Sequence, residues 1–411
     1  MNRREVLQGL GTIALTSAVF SASSSALASD TGSTTFVIAD NVGNRVSVID
    51  VDGWTISKQI DVGLQPYPVD RVTDDIVLVS TRGEENVGVV AVDGFKPMAS
   101  IPLPHTPRSS AGQRSTNRVL VAGGNRPMTT VLDFSGDMPT VIGTVGTDAN
   151  SPLRDFGGGL ASGHPAWVDG EADEFFVLDR IARRLHVYSV GSDVPVYSQN
   201  LPSSAHHIEA YPDEPDRWYV CCEGSRTHRT PPSVVELVRS REGFTTAKNM
   251  ILPIEGERRA LMGAHHLTLH PNGTHIYVGS AEGFCYVLDR NDGTVVSEIE
   301  GGLGLGHVTF DPTGTIGVTT NHDDTFVSIL DGENHRLIEN VEVSFKAKQP
   351  KLRHQGHTSM ITADGRYFVH SAANDGDVYR LNLETRSITD DDRLFVGGYP
   401  IQGDFVKMSP R

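Results

Sequence analysis

The sequence predicts an all-β propeller of eight four-stranded blades, and three observations carry that expectation. Helical patterning is almost absent after residue 30, while the 411 residues include 42 glycines and 22 prolines. Those are the residues that tight turns between short strands require, because glycine reaches positive φ and proline pre-sets φ for a turn. An apolar phrase recurs along the chain, and the two ends of the chain are complementary fragments of it.

The phrase is an apolar strand, a turn, a second apolar strand, a turn and a third strand. Its clearest copy runs Phe36-Val37-Ile38-Ala39-Asp40-Asn41, then Val46-Ser47-Val48-Ile49-Asp50, then a strand to Val62-Gly63. The middle segment returns at Val87–Val92, Thr130–Asp133, Leu185–Tyr188, Val234–Val238, Cys285–Asp289, Val327–Asp331 and Val378–Leu381. Spacings of about 40 to 60 residues match a four-stranded blade. The count is eight, or seven if one weak repeat is an insertion. The chain opens on a blade's second strand and finishes, over Tyr399–Pro410, on what reads as a first strand. Pairing those ends closes the ring and removes the open sheet edges.

Three stretches, "FVIADNVGNRVSVID" (36–50), "HLTLHPNGTHIYVGS" (266–280) and "HVTFDPTGTIGVTT" (307–320), resemble the YVTN-type propeller repeat. That repeat is also similar to the propeller of cytochrome-type nitrite reductase. The resemblance covers residues 35 to 411 and implies a single propeller domain. It says little about function, because one fold hosts many chemistries.

Ahead of the repeats, Asn2-Arg3-Arg4-Glu5-Val6-Leu7-Gln8 precedes a mild apolar run, roughly Gly9 to Phe20, and a Ser/Ala-rich segment ending Ala26-Leu27-Ala28. The run is too short to cross a bilayer and reads as a cleavable export signal over residues 1–28. The paired arginines resemble a twin-arginine signal, whose substrates are exported folded; an ordinary secretory signal containing two arginines is the alternative. Residues 29–34 read as a short linker, cleavage near Ala28 places the mature chain in the periplasm, and no later segment is long enough to span a membrane. A net charge of −16 argues against nucleic acid. Three cysteines, Cys221, Cys222 and Cys285, are too few for a disulfide framework. The adjacent pair reads as two thiols on opposite faces of one strand.

Aligning the first strand of each blade on its turn isolates a histidine position. His164, His207, His266 and His307 each stand five residues before the turn residue, Asp169, Pro212, Pro271 and Pro312 respectively. His357 stands in the same place with one extra residue before Asp364-Gly365. First strands line the channel, so five consecutive blades present histidine to one hub. The preceding residue is Gly163, His206, His265, Gly306 or Gly356. The end of each second strand shares that face, which adds His370, His322 and Cys221-Cys222; His105 precedes the first strand of blade 2, and Asp404 stands near the hub position of the closing blade. Blade 1 offers only Tyr67-Pro68 and reads as inert. His186, His275, His335 and His270 read as outer-strand or turn residues, while His228 and His354 fall in polar loops.

Neutral imidazole suits zinc, copper and iron, whereas calcium and magnesium take oxygen ligands. The candidate ligand set is therefore His164, His206, His207, His265, His266, His307, His357 and His370, for zinc or copper. The competing reading is hydrogen bonding of these rings to water or backbone. Periplasmic zinc metallochaperones that serve zinc ABC transporters resemble this chain in size and hub, although residues 29 to 35 lack the expected histidines. Histidine-hub copper propellers, nitrous oxide reductase and thiol oxidases, are also similar, although no cupredoxin domain or Cys-x3-Cys motif is present. The first resemblance implies metal handling with a periplasmic transport partner, the second a copper oxidoreductase with an electron-transfer partner. A metal-free interaction scaffold or a lactonase-like propeller is the remaining class. GxSxG, P-loop and CxxCH motifs are missing, which removes the corresponding hydrolase, nucleotide and covalent-haem readings. A non-covalent tetrapyrrole with one hub histidine as axial ligand stays open.

Overall fold

The computed structural model describes residues 34–407, apart from residues 114, 137, 150–153, 156–157, 169–172, 226–228, 254–262 and 358. The expected export signal and most of the linker lie outside the described residues, as do Asp169 and His228.

Eight four-stranded antiparallel sheets form the ring. Blades 1 to 7 take their strands in chain order, from the inner strand at the axis to the outer strand at the rim. The inner strands of blades 1 and 2 are Pro66–Arg71 and Pro107–Gln113. Those of blades 4, 5 and 6 are Ala205–Glu209, Ala264–Leu269 and Leu305–Phe310. Blades 3 and 7 keep only the short inner pairings Ala166–Trp167 and Met360–Ile361. Blade 8 is the split one: Pro400–Lys407 forms its inner strand against Thr34–Asp40, and Arg45–Asp50 and Thr55–Asp61 complete it. The expected closure by the C-terminal strand is the observed one.

Each blade packs on two neighbours, so its middle strands are buried on both faces. Val77 and Val79 face blade 8, whereas Leu78 between them faces blade 2. Alternation along the strand makes this unavoidable, and it explains why these segments read as unbroken apolar runs. Cys221 and Cys222 follow the same rule: Cys221 enters the apolar contact with blade 5 and Cys222 the contact with blade 3. Both are free thiols, and burial pushes the Cys222 thiol up to about 12. They are structural residues. Each of the eight blade-to-blade contacts has its own buried apolar cluster. The hydrophobic effect therefore sits between blades, and the axis is left to polar groups.

No helix among the described residues is long and apolar enough to cross a membrane.

Candidate metal centre

The inner strands carry a register break where they meet the axis. In blade 4, Ala205 pairs with Cys222 and His207 with Cys221, so His206 is an extra residue. The same break falls at Gly306 in blade 6, across His265-His266 in blade 5, at Arg108 in blade 2, across Tyr67-Pro68 in blade 1 and at Ile401 in blade 8. A regular strand would send successive side chains to opposite faces, whereas a bulge re-aims one of them. The bulge is what lets both histidines of a His-His pair enter the hub.

The histidines converge as the register requires. Ring centroids of His266 and His307 are 3.8 Å apart, those of His206 and His265 4.2 Å, and those of His207 and His266 4.5 Å. His164 lies 4.6 Å from His266, and His307 4.8 Å from His357. Two sets of four offer ring nitrogens that all lie within 4.8 Å of one another: His206, His265, His266 and His357, and His265, His307, His322 and His357. His265 and His357 belong to both. A tetrahedral zinc site with Zn–N near 2.0–2.1 Å has edges of about 3.3 Å, so either set would contract to hold one ion. His164 and His207 adjoin these sets. His370 belongs to neither; its ring packs against Phe368 and Tyr379, at 5.7 and 6.0 Å.

His322 follows the strand Ile316–Asn321, and its place in the hub depends on a glycine. A Cβ on Gly306 would stand 2.3 Å from His322 Nε2 and 3.0 Å from His265 Nδ1. Blade 6 thus gives up a side chain at the bulge so that its second strand can supply the imidazole instead.

Several partners fix ring orientation. His322 Nδ1 lies 2.7 Å from the Gly356 carbonyl and His265 Nδ1 3.4 Å from that of Gly306, which turns each Nε2 inward. His206 Nδ1 lies 2.7 Å from Glu223 Oε1 and 2.9 Å from Arg180 Nη1. One ring nitrogen serves one of these, and the carboxylate is the stronger partner for an N–H. Glu223 also accepts from Arg180 Nη2 at 2.5 Å. Carboxylate or carbonyl behind an imidazole is the usual outer support of a metal-binding histidine.

Burial sets the charge state. His164, His206, His265, His266, His322 and His357 are all held well below the ordinary histidine range, first by desolvation and then by neighbouring histidines and arginines. Burial holds His207 at about 4 and His307 at about 3. The cluster is neutral at pH 7, the state a metal ligand needs. Yet His207 Nδ1 and the Nε2 atoms of His266, His307 and His322 are buried with no hydrogen-bond partner among the described residues. Buried polar atoms are ordinarily satisfied, so four orphaned nitrogens on one hub call for a ligand.

Other candidates settle into structural roles. His105 is buried 2.9 Å from Thr130 Oγ1. His270 bonds the Gly314 carbonyl at 3.0 Å. Asp404 lies two residues beyond the hub position and accepts from the Arg71 backbone at 2.8 Å. Tyr67 is not inert: its ring meets His357 edge-on at 5.5 Å and lies beneath Arg82 at 4.0 Å.

Sequence reasoning stopped one residue short on the second strands. The residue that reaches the hub follows the strand's last residue: Arg82, Arg180, Glu223 and His322 occupy this place in blades 1, 3, 4 and 6. His322 was read from the end of its strand, and the same position applied to the other blades would have found Arg82, Arg180 and Glu223.

A ring of eight antiparallel blades around a buried, neutral histidine cluster defines the class: a β-propeller whose hub is compatible with metal binding. Among solved structures, the chain is similar to the dihydro-heme d1 dehydrogenase NirN in complex with DHE, at 15% identity and a TM-score of 0.66 over 90% of this chain and 74% of that one. It is also similar to AztD of Citrobacter koseri, at 12% identity and a TM-score of 0.65 over 92% and 99% of the two chains, and to its apo form at 0.63. At these identities the likeness is one of fold. No family model and no curated protein matches the sequence.

Proposed function

We propose that this chain is an exported, periplasmic propeller that holds a transition metal, zinc or copper, through its hub histidines and stores it or passes it on. The observation that carries the reading is the set of four buried imidazole nitrogens without a partner among the described residues, His207 Nδ1 and the Nε2 atoms of His266, His307 and His322, on a neutral hub. Two nitrogen sets sharing His265 and His357 supply four ligands each, the number a closed zinc site takes. The histidines among the ligands predicted from register are His206, His265, His266, His307 and His357, with His322 added and His164 and His207 beside them. His370, packed on Phe368 and Tyr379, is left out. The metal supplies Lewis acidity or redox capacity when bound. The chain's own part is to keep the imidazoles neutral, to orient them through Glu223 and the Gly306 and Gly356 carbonyls, and to exclude water. Export rests on the Arg3-Arg4 segment and cleavage near Ala28.

A second reading is favoured by the number of imidazoles. A neutral imidazole offers one lone pair, so His265 and His357 each serve one ion, and the six histidines of the two sets divide three to each of two metals, which suits a copper oxidoreductase drawing electrons from an external partner. Elemental analysis with visible spectroscopy on protein from its native compartment separates the two. About one colourless zinc per chain supports storage or transfer. Two coppers with charge-transfer bands support the enzyme, and no metal after equilibration with either ion defeats both.

A further inference from the structure

The face of the propeller opposite the hub carries a second pair of histidines that the metal centre leaves unused. His275 opens the second strand of blade 5, His275–Ser280, whose last residue lies at the hub end, about 17 Å along the strand. His335 stands in the turn between Phe326–Asp331 and Arg336–Glu342, the third and fourth strands of blade 6. Their ring centroids are 4.0 Å apart, and both residues are half-buried, so solvent reaches them. Two nitrogens bound to one zinc ion stand about 3.3 Å apart, a span comparable with that separation.

Each ring is held from behind by its Nδ1. Thr274 Oγ1 donates to Asn272 Oδ1 at 2.8 Å, so it accepts from the Nδ1–H of His275, 2.7 Å away. That fixes the tautomer and leaves the lone pair of His275 on Nε2. His335 Nδ1 lies 2.6 Å from the Tyr277 hydroxyl, which has the Gly332 carbonyl at 3.4 Å as an acceptor. With the hydroxyl proton turned to that carbonyl, His335 also carries its lone pair on Nε2. A partner behind Nδ1 is the outer support that a metal-binding imidazole uses. Neither Nε2 makes a hydrogen bond among the described residues. Desolvation holds both rings below the ordinary histidine range, so they are neutral at pH 7. His270, buried beside them, is no ligand: its Nε2 donates to the Gly314 carbonyl at 3.0 Å and its Nδ1 accepts from the Asn272 backbone at 3.2 Å. Asp289 is the cross-strand partner of His275, and its carboxylate accepts from the Asn291 backbone at 2.7 Å. It makes no ion pair among the described residues, so its charge favours a cation beside the two rings.

We propose that His275 and His335 form a second metal site, open to solvent, which takes one divalent zinc or copper ion through their Nε2 atoms with water completing the coordination. Imidazole suits both ions. The site shares no residue with the hub and stands whether or not the hub holds metal. With two protein ligands against four in either hub set, it exchanges its ion with solvent and empties on desalting. It therefore shows in titration and not in the metal content of purified protein.

The test is calorimetric titration of zinc chloride into the metal-free mature chain carrying His265→Ala and His357→Ala, which breaks both hub sets. One zinc-binding event per chain should remain. Adding His335→Asn should weaken it by about tenfold or more, since losing a ligand costs at least what losing an outer partner does. Asparagine tolerates the left-handed backbone of His335, at φ 53°, so this substitution leaves the turn intact. His275→Gln should act alike. Wild type should show the same event after the hub has filled, so the result does not depend on how the hub variant folds. If the hub takes no metal, wild type shows this event alone and loses it in His335→Asn, which separates failure of the hub reading from failure of this one. No event beyond the hub in wild type, or an event that either substitution leaves within about twofold, overturns the proposal.

Discussion

Blades 3 to 7 and blades 8, 1 and 2 bring one backbone position to the axis with opposite chemistry. In the first arc that position is His164, His207, His266, His307 and His357. In the second it is Gln402, Pro68 and Ser109, and the bulge residues beside them are Ile401, Tyr67 and Arg108. Apolar clusters behind the two arcs are alike, so both bear the same structural duty. What differs is the part of each blade that packing leaves free. Repetition supplies equivalent places, and chemistry is written on them unevenly: imidazoles along one arc, guanidinium groups and an aromatic ring along the other.

The largest effect expected from breaking this contrast is in the histidine arc. Replacing both shared ligands, His265→Ala with His357→Ala, should reduce bound metal from stoichiometric to background by mass spectrometry, while circular dichroism stays that of the parent. Retention of stoichiometric metal would remove both four-histidine sets from consideration.

Glu223→Gln comes next. It keeps the side-chain shape but weakens the charge-assisted support of His206, and losses of about 10- to 100-fold in metal affinity are usual for such outer partners. Competition with a chelating dye reads the change, and an unchanged constant would show that His206 takes no part.

Acid should act on the same arc. Unfolded histidine takes up a proton near pH 6.5, whereas folded His207 resists to about 4 and His307 to about 3. Between those values the unfolded chain binds more protons, so stability falls as pH falls, and the loss is complete once pH passes below the folded values. Scanning calorimetry of the metal-free chain should show the midpoint dropping from pH 6.5 toward 4, and a smaller drop in His207→Gln. A flat profile would contradict the neutral, buried hub.

The smallest effect tests whether the second arc can be converted. Gln402 occupies the hub position next to blade 7, so Gln402→His extends the histidine arc by one blade. A few-fold gain in metal affinity is expected, about 1 kcal/mol or less. No gain would mean that the register stops carrying function beyond blade 7.

The fold was legible because a strand buried on both faces leaves unbroken apolar runs such as Ile76–Val79 and Phe175–Leu178, repeated once per blade. The five-histidine position was legible for a related reason, since turn residues such as Pro212, Pro271 and Pro312 fix the register of short strands. The bulge was not, because nothing in His206-His207 or His265-His266 says that two adjacent side chains turn the same way. Nor was Glu223, which sits just past the strand whose last residues, Cys221 and Cys222, attract notice first, whereas His322 was legible from its place at the end of a second strand. His370, near the end of its strand, packs its ring against Phe368 and Tyr379 and lies outside both four-histidine sets.

The most direct test of a metal-holding hub is X-ray absorption on the chain purified from its native compartment, alongside total metal analysis. The account predicts at least one transition metal per chain, with a first shell of nitrogen near 2.0 Å, the imidazole multiple scattering that histidines give, and no sulfur. A metal-free chain that stays so after equilibration with zinc and copper, or a shell containing the Cys221 or Cys222 sulfur, would contradict it.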